Sequence, residues 1–344
     1  MRRIFSLVAI LIPITTFVFS YIAAAGGITP EDFYKGRTIT MVIPYTAGGG
    51  TDSLGRLFAR YLQNQIGANI MVVNKAGGGG IEGPNYMYTA KNDGSVICYD
   101  ESGGGTWGAA IRKDPAVQYD FTKFEYIGFH HSETGAVWIK ADGPYKSIQD
   151  LQKAKGLKFA TLGPTSGVAL GCALFIEALG LDAKIVTGLK GRSDIVLTLQ
   201  KGEADAIVFA IPGMESYLNK GELKVLCTIG LKPTDLYLKY GGVAITNLVS
   251  VSNELKQLID LYETSPDGKS IFLPPGTPKD RVDYLKKAFV DICKLPDYQT
   301  EVTKFFSIWP GYLTGDQTLK EAIRRSQNAA LYQKIIDLVL KYKG

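Results

Sequence analysis

Short β-rich runs alternate with helical patterns along almost the whole chain, and this alternation constrains the fold more than any other feature of the sequence. It is typical of parallel sheets whose strands are joined by crossover helices. A strand is predicted at 38–43, an amphipathic helix at 53–66 and a second strand at 70–73. A comparable series of strands and helices covers 136–209. The sequence therefore predicts an α/β fold.

The composition and the charge of the chain limit the classes of function that are compatible with it. The chain has 344 residues, of which 46% are hydrophobic and 21% charged, so we expect a folded protein of about two domains. The net charge of +5 is not concentrated in a basic block, which disfavours a nucleic-acid partner. The adjacent His130 and His131 and four widely spaced cysteines do not have zinc-ligand spacing, so we expect no metal. Buried thiols are the simpler interpretation of the cysteines, although an oxidising compartment permits disulfides.

The N-terminus has the pattern of an export signal. The basic residues Arg2 and Arg3 precede an apolar run at 4–22, and small residues follow at 23–25. This order is typical of a secretory signal, so we predict that residues 1–25 form a signal peptide that is removed on export. The alternative is a retained membrane anchor, because 19 apolar residues could just cross a hydrocarbon layer of about 30 Å.

Two glycine-containing turns each connect a predicted strand to a predicted helix, at 44–52 and at 163–167. Glycine lets several backbone N–H groups point into one concavity at a helix N-terminus, which suits an anion. The hydroxyl groups of Thr165 and Ser166 could also donate to a carboxylate. The alternative is plain helix capping, for which Asp52 would suffice in the first turn.

Two enzyme motifs are matched only in part. The glycines at 78–83 fit the dinucleotide pattern G-x-G-x-x-G, but Pro84 follows directly and the turn does not come from the first strand of its unit. The turn at 163–167 has its serine one position late for the G-x-S-x-G motif of hydrolases. We therefore predict no enzyme activity and no cofactor, with a secreted enzyme as an alternative.

The segments around these turns resemble a known family. Segment 36–52 is similar to the opening motif of the extracytoplasmic solute-binding proteins of tripartite tricarboxylate transporters, also called the Bug family. The resemblance extends over about 34–232 and 271–310. Shorter matching segments follow in the family's order and spacing at 72–80, 90–94, 190–191, 202–205 and 274–278. The stretch 234–270 has no match, so the resemblance leaves the identity of the ligand open.

The resemblance implies a two-lobe periplasmic binding protein in which each lobe is a mixed sheet flanked by helices and the ligand lies in the cleft between them. Lobe 1 would combine 34–128 with 236–344, and lobe 2 would be 129–235. The family would make this protein a monomer that captures a small organic carboxylate in the periplasm and delivers it to membrane transporter subunits. An orphan ligand-sensing protein of the same fold is the alternative. The expected ligand-binding residues are Tyr45, Ala47, Gly48, Gly49, Thr51, Asp52, Ser102, Thr165, Ser166, Gly167, Lys190 and Asp205.

Overall fold

The computed structural model describes residues 28–132, 135–164, 166–189, 191–211, 214–231, 235–240, 242–263, 267–306 and 309–344. The signal peptide predicted at 1–25 lies outside the described residues. The strands are β1 Thr38–Ile43, β2 Asn69–Asn74, β3 Val96–Glu101, β4 Glu125–Ser132, β5 Ala136–Lys140, β6 Leu157–Ala160, β7 Ala183–Val186, β8 Ile207–Phe209, β9 Leu223–Thr228, β10 Asp267–Leu273 and β11 Tyr312–Thr314. The α-helices are α1 Pro30–Tyr34, α2 Gly50–Ile66, α3 Glu82–Thr89, α4 Trp107–Ile111, α5 Ile148–Lys153, α6 Gly167–Leu179, α7 Arg192–Gln200, α8 Glu215–Asn219, α9 Asp235–Lys239, α10 Asn253–Glu263, α11 Lys279–Cys293, α12 Pro296–Phe306, α13 Gly315–Gln327 and α14 Ala329–Tyr342.

The first lobe is built on a mixed sheet of six strands in the order β11-β4-β10-β3-β1-β2. β1 runs parallel to β2 and β3, whereas β10 runs antiparallel to β3 and β4. β1 and β3 are buried on both faces, which explains their almost continuous apolar sequence. On one face, Phe58 of α2 and Phe289 of α11 pack into the core with Ile43.

The second lobe contains a three-stranded sheet, β8-β5-β9, and a parallel pair, β6-β7. A bridge between Phe159 of β6 and Ala206, the residue before β8, joins the two sets of strands. Helix α6 lies in the core of this lobe, where Cys172, Leu174 and Phe175 are completely buried. It ends at Gly180, whose left-handed conformation is usual for glycine at a helix end.

The pairing of β4 and the packing of two helices bear on where the lobes divide. β4 pairs with β10 along its length and with β11 at 128–130, so the chain remains in the first sheet as far as Ser132. Helices α10 and α14, expected in lobe 1, pack on α6 of lobe 2. Lys341 of α14 pairs with Glu177 of α6 at 2.6 Å.

The sequence of α6 explains this packing. Apart from Glu177 the helix is apolar around its circumference, so the sheet beneath it cannot cover all of its surface. Helices α10 and α14 cover the remainder.

All four cysteines are buried and free, which confirms the interpretation as thiols: Cys98, Cys172, Cys227 and Cys293. Within the described ranges, no helix combines the length and the apolar character that crossing a membrane requires.

Candidate ligand site

Turns that contain glycine follow the carboxyl ends of the parallel strands. In the first lobe they occupy 44–49 after β1, 75–81 after β2 and 102–106 after β3, and in the second lobe 161–166 follows β6 and 187–191 follows β7. Open α/β sheets bind their ligands at this edge. These turns therefore define the candidate ligand site.

Asp52 organises the turn between β1 and α2. Its carboxylate accepts hydrogen bonds from the N–H of Gly48 at 2.8 Å, from Nε of Arg56 at 2.9 Å and from Nδ2 of Asn74 at 2.8 Å. Burial acts to raise the pKa of Asp52, but the hydrogen bonds from Arg56, Gly48 and Asn74 together lower it below its ordinary value. Its oxygens are thus engaged within the turn, and Asp52 shapes the site without presenting its charge to a ligand.

The backbone N–H groups of this turn divide into two sets. Those of Gly48 and Gly49 are used inside the turn, the first by Asp52 and the second by the carbonyl of Thr46 at 3.3 Å. Those of Gly50 and Thr51 belong to the first turn of α2, where a helix offers no preceding carbonyl to bond. The start of α2 is therefore the stronger source of donors for an anion.

Tyr45 points inward, toward the neighbouring turns. A Cβ placed on Gly80 would lie 2.6 Å from the Tyr45 hydroxyl oxygen, and one placed on Gly105 would lie 2.5 Å from it. The hydroxyl thus packs between two glycines and beside the carboxylate of Asp100. Burial, with the nearby Asp100 charge, raises the pKa of Tyr45.

Ser102 has a structural partner of its own. The side chain is completely buried, and its Oγ donates to the carbonyl oxygen of Gly268 at 3.0 Å. This bond ties the turn at 102–106 to β10. The hydroxyl of Ser102, expected as a ligand contact, is therefore bonded to β10.

In the second lobe, Ser166 is the N-cap of α6. Its Oγ accepts from the N–H of Ala169 at 3.3 Å and donates to the carbonyl of Gly163 at 2.8 Å. The carbonyl of Gly167 accepts from the Tyr262 hydroxyl at 3.1 Å. Two other expected contacts, Thr165 and Lys190, lie outside the described residues.

Asp205 lies away from these turns. Its Oδ2 accepts from the N–H of Lys158 at 2.8 Å, near the beginning of β6, whereas the turn at 161–166 follows the end of that strand. Asp205 precedes β8 and so lies at the amino ends of the strands, and the structure does not bring it together with the turns at their carboxyl ends.

Arg192 is a residue between the lobes that sequence reasoning missed. Its Cζ lies 5.3 Å from the centroid of the Phe209 ring, and its Nη1 donates to the carbonyl oxygen of Phe305 at 3.4 Å. Phe305 belongs to α12, which packs on α2 of the first lobe, so Arg192 connects the two lobes. A cation in the first turn of α7 opposes the helix dipole, and this was the signal available in the sequence.

Two α/β lobes joined by crossing segments, with glycine turns at the carboxyl ends of their strands, are typical of solute-binding proteins. A sequence model described as the tripartite tricarboxylate transporter family receptor matches residues 54–334. The chain therefore belongs to this receptor family, as the resemblance of segment 36–52 and its companions predicted.

Several relatives have low sequence identity to this chain but align with most of its length. The UPF0065 protein in the gbd 5'region of Cupriavidus necator is 27% identical over 305 residues, which is 86% of this chain and 86% of that protein. A TctC solute binding protein from Polaromonas is similar in structure, with a TM-score of 0.68 and 22% identity over 88% of this chain and 99% of that one. MatC from Rhodopseudomonas palustris, solved with bound malate, has a TM-score of 0.63 and 21% identity over 88% and 99%. These structures confirm the predicted two-lobe α/β fold.

Proposed function

We propose that this protein captures a small organic carboxylate in the periplasm and delivers it, as a monomer, to the membrane subunits of a tripartite tricarboxylate-type transporter. The observation that carries the proposal is the glycine-rich start of α2, whose N–H groups lie at the carboxyl edge of the first sheet. Asp52 fixes the preceding turn by accepting a hydrogen bond from the N–H of Gly48. Membership of the receptor family supports the transport role. The malate bound to MatC supports a carboxylate as the ligand class.

Neutral backbone donors suit this task. A helix N-terminus stabilises an anion through its N–H groups and its dipole, without requiring a buried counter-charge. Release to a transporter requires that binding be reversible, and hydrogen bonds from neutral groups meet this need. We place the ligand carboxylate against the N–H groups of Gly50 and Thr51 at the start of α2, with Thr165, Gly167 and Lys190 as contacts from the second lobe.

The proposed function also requires export of the protein across the membrane. We infer that residues 1–25 direct the chain across the membrane and are removed, so that the mature protein begins near Gly26. Mass spectrometry of the exported protein tests this inference. A protein that retains Met1–Ala25 in the membrane fraction would show an anchored receptor instead.

A thermal-shift screen of mono-, di- and tricarboxylates, with the corresponding amides as controls, tests the ligand class. A ligand at 100 times its Kd stabilises the folded state by about 2.7 kcal/mol, which is easily measured. Carboxylates should raise the melting temperature and their amides should not. Recovery of the ligand unchanged after incubation separates a receptor from an enzyme.

The backbone contact can be tested with a matched pair of variants. Gly50→Pro removes one N–H group at the first position of α2, where proline is compatible with a helix, and the preceding Gly49 is already extended. Gly50→Ala keeps the N–H group and places its Cβ in open space. Because a charge-assisted hydrogen bond contributes roughly 1.5 to 3 kcal/mol, Gly50→Pro should weaken carboxylate binding at least tenfold and Gly50→Ala should not. Equal affinities in calorimetric titration would refute the backbone contact.

A further inference from the structure

Asp100 is a buried carboxyl group that is not among the expected ligand-binding residues. It is the fifth residue of β3 and is completely buried. The turn at 102–106 begins two residues after it. Burying a carboxylate is costly unless hydrogen bonds or counter-charges compensate. We therefore expect the side chain of Asp100 to have a specific structural role.

The carboxylate contacts both glycine turns of the first lobe that border it. Its Oδ2 accepts from the N–H of Thr106, in the 102–106 turn, at 3.2 Å. A Cβ on Gly105 would lie 3.1 and 3.3 Å from the two Asp100 oxygens and 2.5 Å from the hydroxyl oxygen of Tyr45. Asp100 and Tyr45 thus meet around Gly105, where only a glycine leaves them room.

The contact with Tyr45 continues into the start of α2. The carbonyl of Tyr45 accepts from Nδ2 of Asn74 at 2.8 Å, and the same amide donates to Asp52, which holds the N–H of Gly48. A connected set of polar contacts therefore leads from the 102–106 turn to the donors proposed to bind the ligand.

Asp100 also lies in an unusual electrostatic environment. Burial raises its pKa to about 8, although the hydrogen bond from Thr106, the contact with Tyr45 and the charge of Lys269 act in the opposite direction. Burial lowers the pKa of Lys269 to about 8, and this ammonium pairs with Glu101. The titratable groups that interact with Asp100 are Tyr45, Cys98, Tyr119, Tyr126 and Lys269.

We propose that Asp100 is a positioning residue that holds the turns at 44–52 and 102–106 in one fixed relation and so pre-organises the donors at the start of α2. The ligand part of this proposal rests on the proposed function, whereas the coupling of the turns does not. Pre-organised groups bind more tightly because less ordering is left to the binding step.

Hydrogen–deuterium exchange without ligand tests the coupling directly. Asp100→Ala should increase exchange in both turns, whereas Asp100→Asn should restore protection, because an amide can accept from Thr106 and donate to Tyr45. Ser102→Ala is the matched control, since it removes a buried hydrogen bond of the same turn to Gly268 without touching Tyr45. It should increase exchange at 102–106 only.

Affinity for malate, used as a probe, tests the consequence for binding. Asp100→Ala should weaken binding at least fivefold, and this loss should be much smaller in a Tyr45→Phe background, because the two residues act through one contact. Raising the pH from 7 to 9 removes the proton of Asp100, so the added negative charge should weaken malate binding by the wild type, and Asp100→Asn should show a flatter profile.

Several results would overturn the proposal. Unchanged exchange at 44–52 in Asp100→Ala would show that Asp100 does not reach the first turn. Additive effects of Asp100→Ala and Tyr45→Phe on affinity would show that the two residues do not act through one contact. If Asp100→Ala fails to fold, Tyr45→Phe replaces it, and unchanged exchange at 102–106 in that variant contradicts the coupling. If no carboxylate binds the wild type, the proposed function fails while the exchange result still decides the coupling.

Discussion

Nη1 of Arg192, in the second lobe, donates to the carbonyl oxygen of Phe305, in the first lobe, at 3.4 Å. Phe305 lies in the last turn of α12, where the helix dipole concentrates negative potential. The same guanidinium lies against the ring of Phe209. One cation thus reaches across the cleft at a point distant in sequence from the segments that join the lobes.

This contact predicts that Arg192 stabilises the closed arrangement of the lobes. Arg192→Gln should weaken carboxylate binding by roughly two- to tenfold, because hydrogen bonds to charged groups contribute about 1.5 to 3 kcal/mol when well formed and this one is long. Small-angle scattering should show less compaction on adding ligand than in the wild type. Hinge closure around a ligand accounts for this dependence.

Arg37→Gln is the matched control for Arg192→Gln. Nε of Arg37 donates to the carbonyl oxygen of Phe33 in α1 of the first lobe and the guanidinium lies over the Phe33 ring, so its replacement removes the same charge from a comparable setting outside α12. It should leave both affinity and compaction unchanged. If both variants lose affinity equally, the effect comes from net charge, and the contact with Phe305 has no special role.

Asp52→Ala should destabilise the protein by about 1 to 3 kcal/mol, because the N–H of Gly48 and the amide of Asn74 lose their acceptor. The folded pKa of Asp52 is lowered, so its contribution is complete above the unfolded pKa of about 3.9 and is lost as the pH falls through the folded pKa. Urea unfolding at pH 7 and at pH 3 should therefore show a larger difference between variant and wild type at pH 7.

The exposed Asp316 provides the comparison for Asp52. It pairs with Lys286 at the surface, where ion pairs contribute little. Asp316→Ala should cost less stability at every pH. A cost equal to that of Asp52→Ala would show that the buried hydrogen bonds of Asp52 have no particular effect.

The sequence predicted the local elements well because each one leaves a local signal. The β-rich run at 38–43 and the spacing of apolar residues in 53–66 correspond to β1 and to most of α2. The surface on which an element packs in the tertiary structure leaves no such signal in the sequence. The pattern of α14 shows that it has an apolar face, but only the apolar circumference of α6 explains which surface that face covers.

The candidate site shows the same division. The glycine turn after β1 could be found because glycines between a strand and a helix have a distinct local chemistry. The place of Asp205 could not be inferred, since its position depends on which end of β6 it approaches. Asp100 was visible as a carboxylate inside an otherwise buried strand, but its contacts with Thr106 and Tyr45 depend on tertiary structure.

His130 predicts a pH dependence of stability. The ring is buried between two tyrosine hydroxyls, with Nδ1 3.0 Å from Tyr99 Oη and Nε2 2.9 Å from Tyr298 Oη. Burial lowers its pKa to about 3, so the unfolded chain, with a pKa of about 6.5, binds the proton more readily. Stability therefore falls as the pH decreases from about 6.5 toward 3, by about 2 kcal/mol between pH 7 and pH 5.

Urea unfolding of His130→Gln at pH 7 and pH 5 isolates this contribution. The variant should be less stable at pH 7 but should lose about 2 kcal/mol less than the wild type on acidification. Tyr298→Phe is the control, because it removes one hydrogen-bonding partner and leaves the imidazole in place. The interpretation is wrong if wild type and His130→Gln lose the same amount between the two pH values.

Ser166 can serve the ligand, the helix or both, and two substitutions separate these roles. Its Oγ caps α6 by accepting from Ala169, so Ser166→Ala should cost about 1 kcal/mol of stability. Ser166→Gly removes the same hydroxyl but costs only a few tenths of a kcal/mol at an N-cap position. Melting curves should therefore rank the wild type and Ser166→Gly close together and Ser166→Ala below them.

Calorimetric titration of the same variants with carboxylate then determines the second role of Ser166. If Oγ donates to the ligand, both variants lose affinity to a similar extent, whatever their stability. If Oγ only caps the helix, Ser166→Gly keeps both its stability and its affinity. Because Oγ already donates to the carbonyl of Gly163 at 2.8 Å, a ligand would have to replace that bond, and we expect the affinity of Ser166→Gly to fall by less than threefold. A tenfold loss in both variants would contradict this expectation and make the hydroxyl a direct ligand contact.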